Sequence, residues 1–147
     1  MKKRIISLLS ALALTAQIVP CALADNDVKV YVNDTEMITD APIIIENNRT
    51  LVPVRAILEY LDYNVDWDGA TQKVTIAKDE TTLNLIIGDT QATRDIIYKG
   101  NTHSYKNPLE VAPQIINDST YIPLSDVANA FRLNITWDGD NREVHIT

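Results

Sequence analysis

Apolar residues fall at Val54, Ile57, Leu58 and Leu61 directly after Pro53, and again at Leu124, Val127, Ala128 and Phe131 directly after Pro123. This i, i+3, i+4, i+7 spacing predicts a helix in both places, each with one apolar stripe turned toward a core. A proline suits the start of a helix, where the first amide hydrogens have no intrahelical acceptor. Beyond each helix the period falls to two. Val65 and Trp67 alternate with polar neighbours, as do Val74 and Ile76, and the same alternation recurs at Ile135, Trp137, Val144 and Ile146. Two hairpins are predicted, turned at Asp68-Gly69 and at Asp138-Gly139. Because side chains two apart on a strand share a face, Trp67 points the way of Val65 and Trp137 the way of Ile135. Both tryptophans are therefore expected to be buried core anchors.

The two patterns are one pattern written twice. A shift of 70 positions aligns residues 47–77 with 117–147 without a gap, and matches Asn47 with Asn117, Pro53 with Pro123 and Trp67 with Trp137. That is an internal duplication. Upstream of the first helix, "VKVYVNDTEM" alternates and turns at Asn33-Asp34, and "APIIIENNRTLVPV" predicts a strand leading into the helix. The second copy offers "IIYKGNTHSY" with a turn at Lys99-Gly100, then "APQIINDSTYIPL". Between the copies, Leu83, Leu85 and Ile87 fall on one face of a bridging strand that turns at Gly88-Asp89. The predicted class is α+β: two pseudo-symmetric repeats, about 28–77 and 82–147, each of antiparallel strands and a hairpin around one short helix.

The first 24 residues do not belong to this pattern. Lys2-Lys3-Arg4, an apolar run from Ile5 to about Val19 and small residues at Ala22 and Ala24 are the three parts of a secretory signal peptide, 1–24, leaving one domain over 25–147. The run is shorter than the roughly 20 apolar residues that cross a bilayer and is broken by Gln17 and Pro20, so no membrane span is expected after cleavage. Cleavage would remove Cys21, the only cysteine, and leave a chain without disulfides. It would also take the formal net charge from −7 to −10, since Lys2, Lys3 and Arg4 go and all 20 acidic residues stay. Such a surface repels polyphosphate, which disfavours nucleic acid as a partner.

The acidic glycine turns invite a calcium reading. An EF-hand loop, however, needs oxygen ligands at alternate positions and a glutamate at the twelfth. Asp66 and Asp68 are followed by Ala70, and Asp138 and Asp140 by Arg142, so neither copy has that register. A turn is the first reading, with a weak cation site or a glycan-stacking surface on Trp67 or Trp137 as the alternatives. Four Asn-X-Ser/Thr triplets, at Asn33, Asn48, Asn117 and Asn134, would accept glycans in a eukaryotic secretory route, but asparagine is favoured at turns in any case.

The phrases "NNRTLVPVRAILEYLDYNVDWDGATQKVTI" and "NDSTYIPLSDVANAFRLNITWDGDNREVHI" resemble the repeated signature of the copper amine oxidase N-terminal-like domain, the stalk module of exported bacterial proteins. The resemblance extends over about Val28 to Thr147 and is carried mainly by Thr50–Arg55 and by Trp67-Asp68. It implies a small antiparallel sheet around a helix, remote from copper, in an accessory module of surface proteins. Two departures matter: Arg55 is matched by Ser125, and Tyr63 and Leu133 stand where the family has a glycine after the helix.

The residues themselves give no catalytic set. A copper site of three imidazoles is excluded by count, because only His103 and His145 are present, and the Asn-Tyr-Asp/Glu context of the oxidases' quinone does not occur. Ser104 beside His103 lacks a carboxylate that spacing could identify. Asp66 and Asp68 flank a turn, and Arg55 and Glu59, four apart on a helix, are expected to pair. No catalytic residue, cofactor or metal ligand is assigned. The expected function is a non-catalytic secreted or cell-wall-associated module that binds or spaces a cell-envelope polymer or surface protein, held non-covalently since Thr147 ends a strand without a sorting motif. A small secreted ligand-binding or inhibitor protein, or a small hydrolase, are the alternatives.

Overall fold

A computed structural model describes residues 27–147; the predicted leader, its junction after Ala24 and Cys21 lie outside the described residues. Strands β1 (Lys29–Val32) and β2 (Thr35–Met37) make a hairpin through Asn33 and Asp34, with φ of 47° and 64°. Two successive left-handed residues define a type I′ turn, whose twist matches that of the strands it joins, and Asn and Asp tolerate that region better than most side chains. The same device joins β3 (Ile44–Glu46) to β4 (Arg49–Pro53) through Asn47 and Asn48 at φ of 49° and 59°. Here the structure corrects the expectation of one strand running into the helix. The asparagine pair folds that run back on itself.

Helix α1 (Val54–Leu58) follows, with Pro53 at its N-cap and Val54, Ile57 and Leu58 buried as the stripe predicts. Next come β5 (Asn64–Asp68), β6 (Lys73–Lys78), β7 (Thr81–Ile86), β8 (Gln91–Tyr98) and β9 (Asn101–Pro108), a five-stranded antiparallel meander in sequence order. Strands β10 (Gln114–Ile116) and β11 (Ser119–Pro123) then repeat the Asn-turned hairpin, through Asn117 and Asp118 at φ of 47° and 64°. Helix α2 (Leu124–Phe131) starts after Pro123, and β12 (Ile135–Asp138) and β13 (Glu143–Ile146) close the chain. Among the described residues the architecture is mostly antiparallel sheet with two short helices, α+β as expected.

Strands from the two halves of the sequence pair with one another. β4 lies antiparallel to β11 in a four-stranded sheet, with Val52 opposite Ile122, Leu51 opposite Pro123 and Pro53 opposite Tyr121. Val52 and Ile122 are 70 apart, as are Leu51 with Tyr121 and Pro53 with Pro123. Exchanging the halves therefore leaves this register unchanged. β1 joins β13, Lys29 opposite Glu143 through Val32 opposite Ile146, and this pair across the halves is parallel, whereas the strands expected within each half are antiparallel. The first and last strands thereby share one sheet, β12-β13-β1-β2.

The two helical stripes meet in one core. Ile57 and Leu58 from α1, and Leu124 and Val127 from α2, are buried together with Val30, Leu85 and Ile146. Each such aliphatic side chain contributes about 1.5–3 kcal/mol by leaving water. Tyr63, just after α1, meets Phe131 at the end of α2 edge to face, with ring centroids 4.7 Å apart. Arg132 caps α2 in the left-handed conformation at φ of 58°, and its counterpart Asp62, three residues beyond the C-cap of α1, takes φ of 61°, so neither left-handed position uses a glycine.

Candidate functional site

Neither tryptophan is buried: Trp67 is 39% and Trp137 47% exposed, which overturns their assignment as core anchors. The alternation itself holds. Trp67 stands across the ladder from Val74, and Trp137 from Val144, so each indole shares a face with a buried valine and covers it. What the periodicity could not show is where the second layer ends. At Val65 the face is roofed by other elements, and one step further along the strand it opens.

Each opening is a groove. The first, of about 400 Å³, lies between the β5–β6 hairpin, the start of α1 and the β10–β11 turn, and is lined by Trp67, Val74 and Arg55 on one side and Asp118, Ser119 and Thr120 on the other. The second, of about 440 Å³, lies between the β12–β13 hairpin, the start of α2 and the β3–β4 turn. Its lining includes Trp137, Val144 and Ser125, facing Asn48, Arg49 and Thr50. These six positions stand 70 from those of the first groove. The same relation holds for Val65 with Ile135 and for Ile115 with Ile45. Each groove thus takes its indole from one half and its opposite wall from the other, and both volumes lie within the roughly 300–1,000 Å³ of ligand sites.

The turns beside the indoles explain the Asp-Gly pairs. Asp68 Oδ1 accepts from the Ala70 amide at 2.9 Å and Oδ2 from the Thr71 hydroxyl at 2.8 Å; Asp138 repeats this with the Asp140 amide at 3.0 Å and the Asn141 side-chain amide at 2.8 Å. The carboxylates therefore accept hydrogen bonds from within their own loops. The glycines are not there for a left-handed φ, since neither Gly69 nor Gly139 has one. At Gly139 the missing side chain provides room, since a Cβ there would sit 3.3 Å from Trp137 Nε1; at Gly69 a Cβ would sit 3.5 Å from Trp67 Nε1, an ordinary contact. The indole edge lies beside the turn.

The hydrogen bonds to the Thr71 hydroxyl and the Ala70 amide hold the Asp68 carboxyl below the ordinary aspartate range, and the Asn141 side chain and the backbone do the same for Asp138. A depressed folded pKa means that the stabilising contribution is fully present above the unfolded value of about 3.9 and is lost as pH falls through the folded one. In an NMR titration the Ala70 and Asp140 amides are expected to shift with midpoints below that value. Midpoints at the ordinary aspartate value would show that the carboxylates do not anchor the turns.

The other singled-out residues are dispersed. His103 is exposed on β9, opposite Ile96 of β8. His145 on β13 stacks on Tyr31, centroids 5.0 Å apart, with Nε2 3.1 Å from Glu143 Oε2. Ser104 donates to Asp95 Oδ1 at 2.6 Å, a carboxylate on the neighbouring strand that spacing alone did not reveal. His103, one residue away on the same strand, points to the opposite face. The serine is thus paired with the acid directly, without an imidazole to take its proton. Arg55 meets Glu59 at 3.3 Å on an exposed helix face, as expected. Of the sequon asparagines, Asn33, Asn48 and Asn117 sit at left-handed turn positions, while Asn134 instead exchanges backbone hydrogen bonds with Thr147.

One cluster was missed. Arg49, on the wall of the second groove, pairs with Glu110, and Asp126 in the first turn of α2 lies in their field. Burial pushes the Asp126 carboxyl up, with Arg49 opposing, and its Oδ2 has no hydrogen-bond partner. These three residues are far apart in the sequence and follow no motif. Among the described residues no group of three or more His, Cys, Asp or Glu is arranged to hold a metal ion, and no helix is long and apolar enough to cross a membrane.

No curated protein matches the chain. The family described as the copper amine oxidase N-terminal domain matches residues 31–146, from within β1 to the last residue of β13, and that domain is a non-catalytic module. Both grooves and both tryptophan hairpins lie inside the match, and the chain belongs to the copper amine oxidase N-terminal domain family.

Proposed function

We propose that the protein is an exported, non-catalytic binding module that works at the bacterial cell envelope, free or wall-associated, and attaches to an envelope polymer or surface protein. The observation that carries this reading is the pair of grooves. Each is open, lined largely by apolar and hydroxyl side chains, and built from both halves of the chain. Their chemistry suits holding a ligand, and the exposed indoles supply contact area at little conformational cost. We further read the two halves as pseudo-symmetric repeats, which the β4–β11 register and the 70-residue relation between the groove linings support. The absence of catalysis is part of the proposal; the direct Ser104–Asp95 pairing, with His103 on the other face, supports it. So does the charged, apolar and small-residue order of the first 24 residues, on the side of export.

Co-sedimentation of the purified protein with isolated insoluble cell-envelope fractions tests the reading. The expected result is saturable binding to the insoluble fraction with no release of soluble fragments from it. Protein that stays in the supernatant, or fragments that accumulate with time, would overturn it.

A further inference from the structure

We propose that the two tryptophan grooves are equivalent sites for an uncharged polysaccharide, each stacking one pyranose ring on the outer face of its indole. The proposal rests on the envelope-binding reading and names the ligand chemistry of its site. What the grooves share, and what they do not, identifies that chemistry. Identical in both are the tryptophan, the covered valine, the wall isoleucine at Ile45 or Ile115 and the threonine at Thr50 or Thr120. Every charge differs. Arg55 of the first groove is matched by Ser125 in the second, Asp118 by Asn48, and Ser119 by Arg49. A ligand accepted by both is therefore recognised without an ion pair.

The shared set is one flat aromatic ring, aliphatic side chains and a threonine hydroxyl. A pyranose presents the complementary surface, an apolar C–H face edged by hydroxyls. The indole is available to it, because its ladder partner is the buried Val74 or Val144 and its Nε1 edge lies near a turn glycine, while 39% of Trp67 and 47% of Trp137 remain open to solvent. A net charge of −7 disfavours anionic polymers. An extended proline-rich peptide would use a groove lined by several aromatics, whereas each groove here holds a single ring. Two sites on one chain also suit a repeating polymer, since the second contact with the same strand forms at high effective concentration.

The tryptophans are the only two in the protein, so tryptophan fluorescence, excited selectively over the six tyrosines, reports on the grooves alone. Titration with cellohexaose and chitohexaose is expected to give a saturable blue shift, with two sites per chain by calorimetry. Trp67→Ala and Trp137→Ala should each reduce two sites to one and weaken retention on the insoluble polymer by a factor on the order of 10² or more. The double variant should keep its circular dichroism and bind neither sugar. Unchanged wild-type fluorescence up to millimolar hexasaccharide, a response to a proline-rich peptide instead, or full binding by a folded double variant would overturn the proposal. If the double variant does not fold, the wild-type titration decides alone. Envelope co-sedimentation separates this idea from the broader one: wild-type and folded double variant sedimenting equally would sink the groove assignment and leave envelope binding standing. Hexasaccharide binding without envelope sedimentation would support the grooves and sink envelope binding.

Discussion

Ile122→Ala is expected to cost about 2–5 kcal/mol, the range for truncating a buried isoleucine that leaves a cavity. Ile122 is fully buried, sits on β11 opposite Val52 of β4, and belongs to the core that both helices enter. The residue thus sits in the ladder that joins β4 to β11. Val52→Ala should be additive with a distant core change but not with Ile122→Ala, because paired neighbours share whatever cavity forms, and coupling of about 0.5–3 kcal/mol is usual for residues in contact. Urea unfolding of the wild type, both single variants and the double variant gives the cycle. A loss below about 1 kcal/mol for Ile122→Ala, or strict additivity, would place the central packing elsewhere. Trp67→Ala removes a larger side chain but a half-exposed one, and it is expected to cost less than Ile122→Ala.

Much of this fold was legible because its elements announce themselves locally. The stripes at Val54–Leu61 and Leu124–Phe131 gave both helices, and the Asn33-Asp34 and Lys99-Gly100 pairs gave two hairpin turns that need left-handed residues. The Asn47-Asn48 pair carried the same signal, yet the apolar run around it looked continuous. Pairing across the halves was not legible. The β1–β13 ladder joins residues more than a hundred positions apart, and nothing in an alternating strand says which neighbour it will take, or in which direction.

The site was legible in its residues and misread in its burial. Period-two alternation placed Trp67 and Trp137 on the correct face, but it is blind to where the covering layer stops, and that edge is what turns a core position into a groove floor. The opposite wall of each groove comes from the other half, so no local window of sequence contains a complete site. Exact repetition of the tryptophan together with Thr50 and Thr120 was the available signal.

Val30→Asp is expected to be among the most damaging single changes, on the order of 3–5 kcal/mol, the scale of leaving an unpaired charge buried. Val30 is 1% exposed on β1, between Val144 of β13 and Met37 of β2, and no cation lies among those ladder partners. The apolar surroundings would raise the introduced carboxyl's folded pKa above its unfolded value of about 3.9. A raised folded pKa means that the group's cost is least below the unfolded value, where it is neutral in both states, and grows as pH rises through the folded value. The stability gap to the wild type should therefore narrow in acid and widen toward neutrality. Denaturant midpoints of both proteins across that range measure it. A gap independent of pH, or a variant as stable as the wild type at neutral pH, would mean that β1 is not held in the core beside β13, and that the chain's first strand is dispensable to its last.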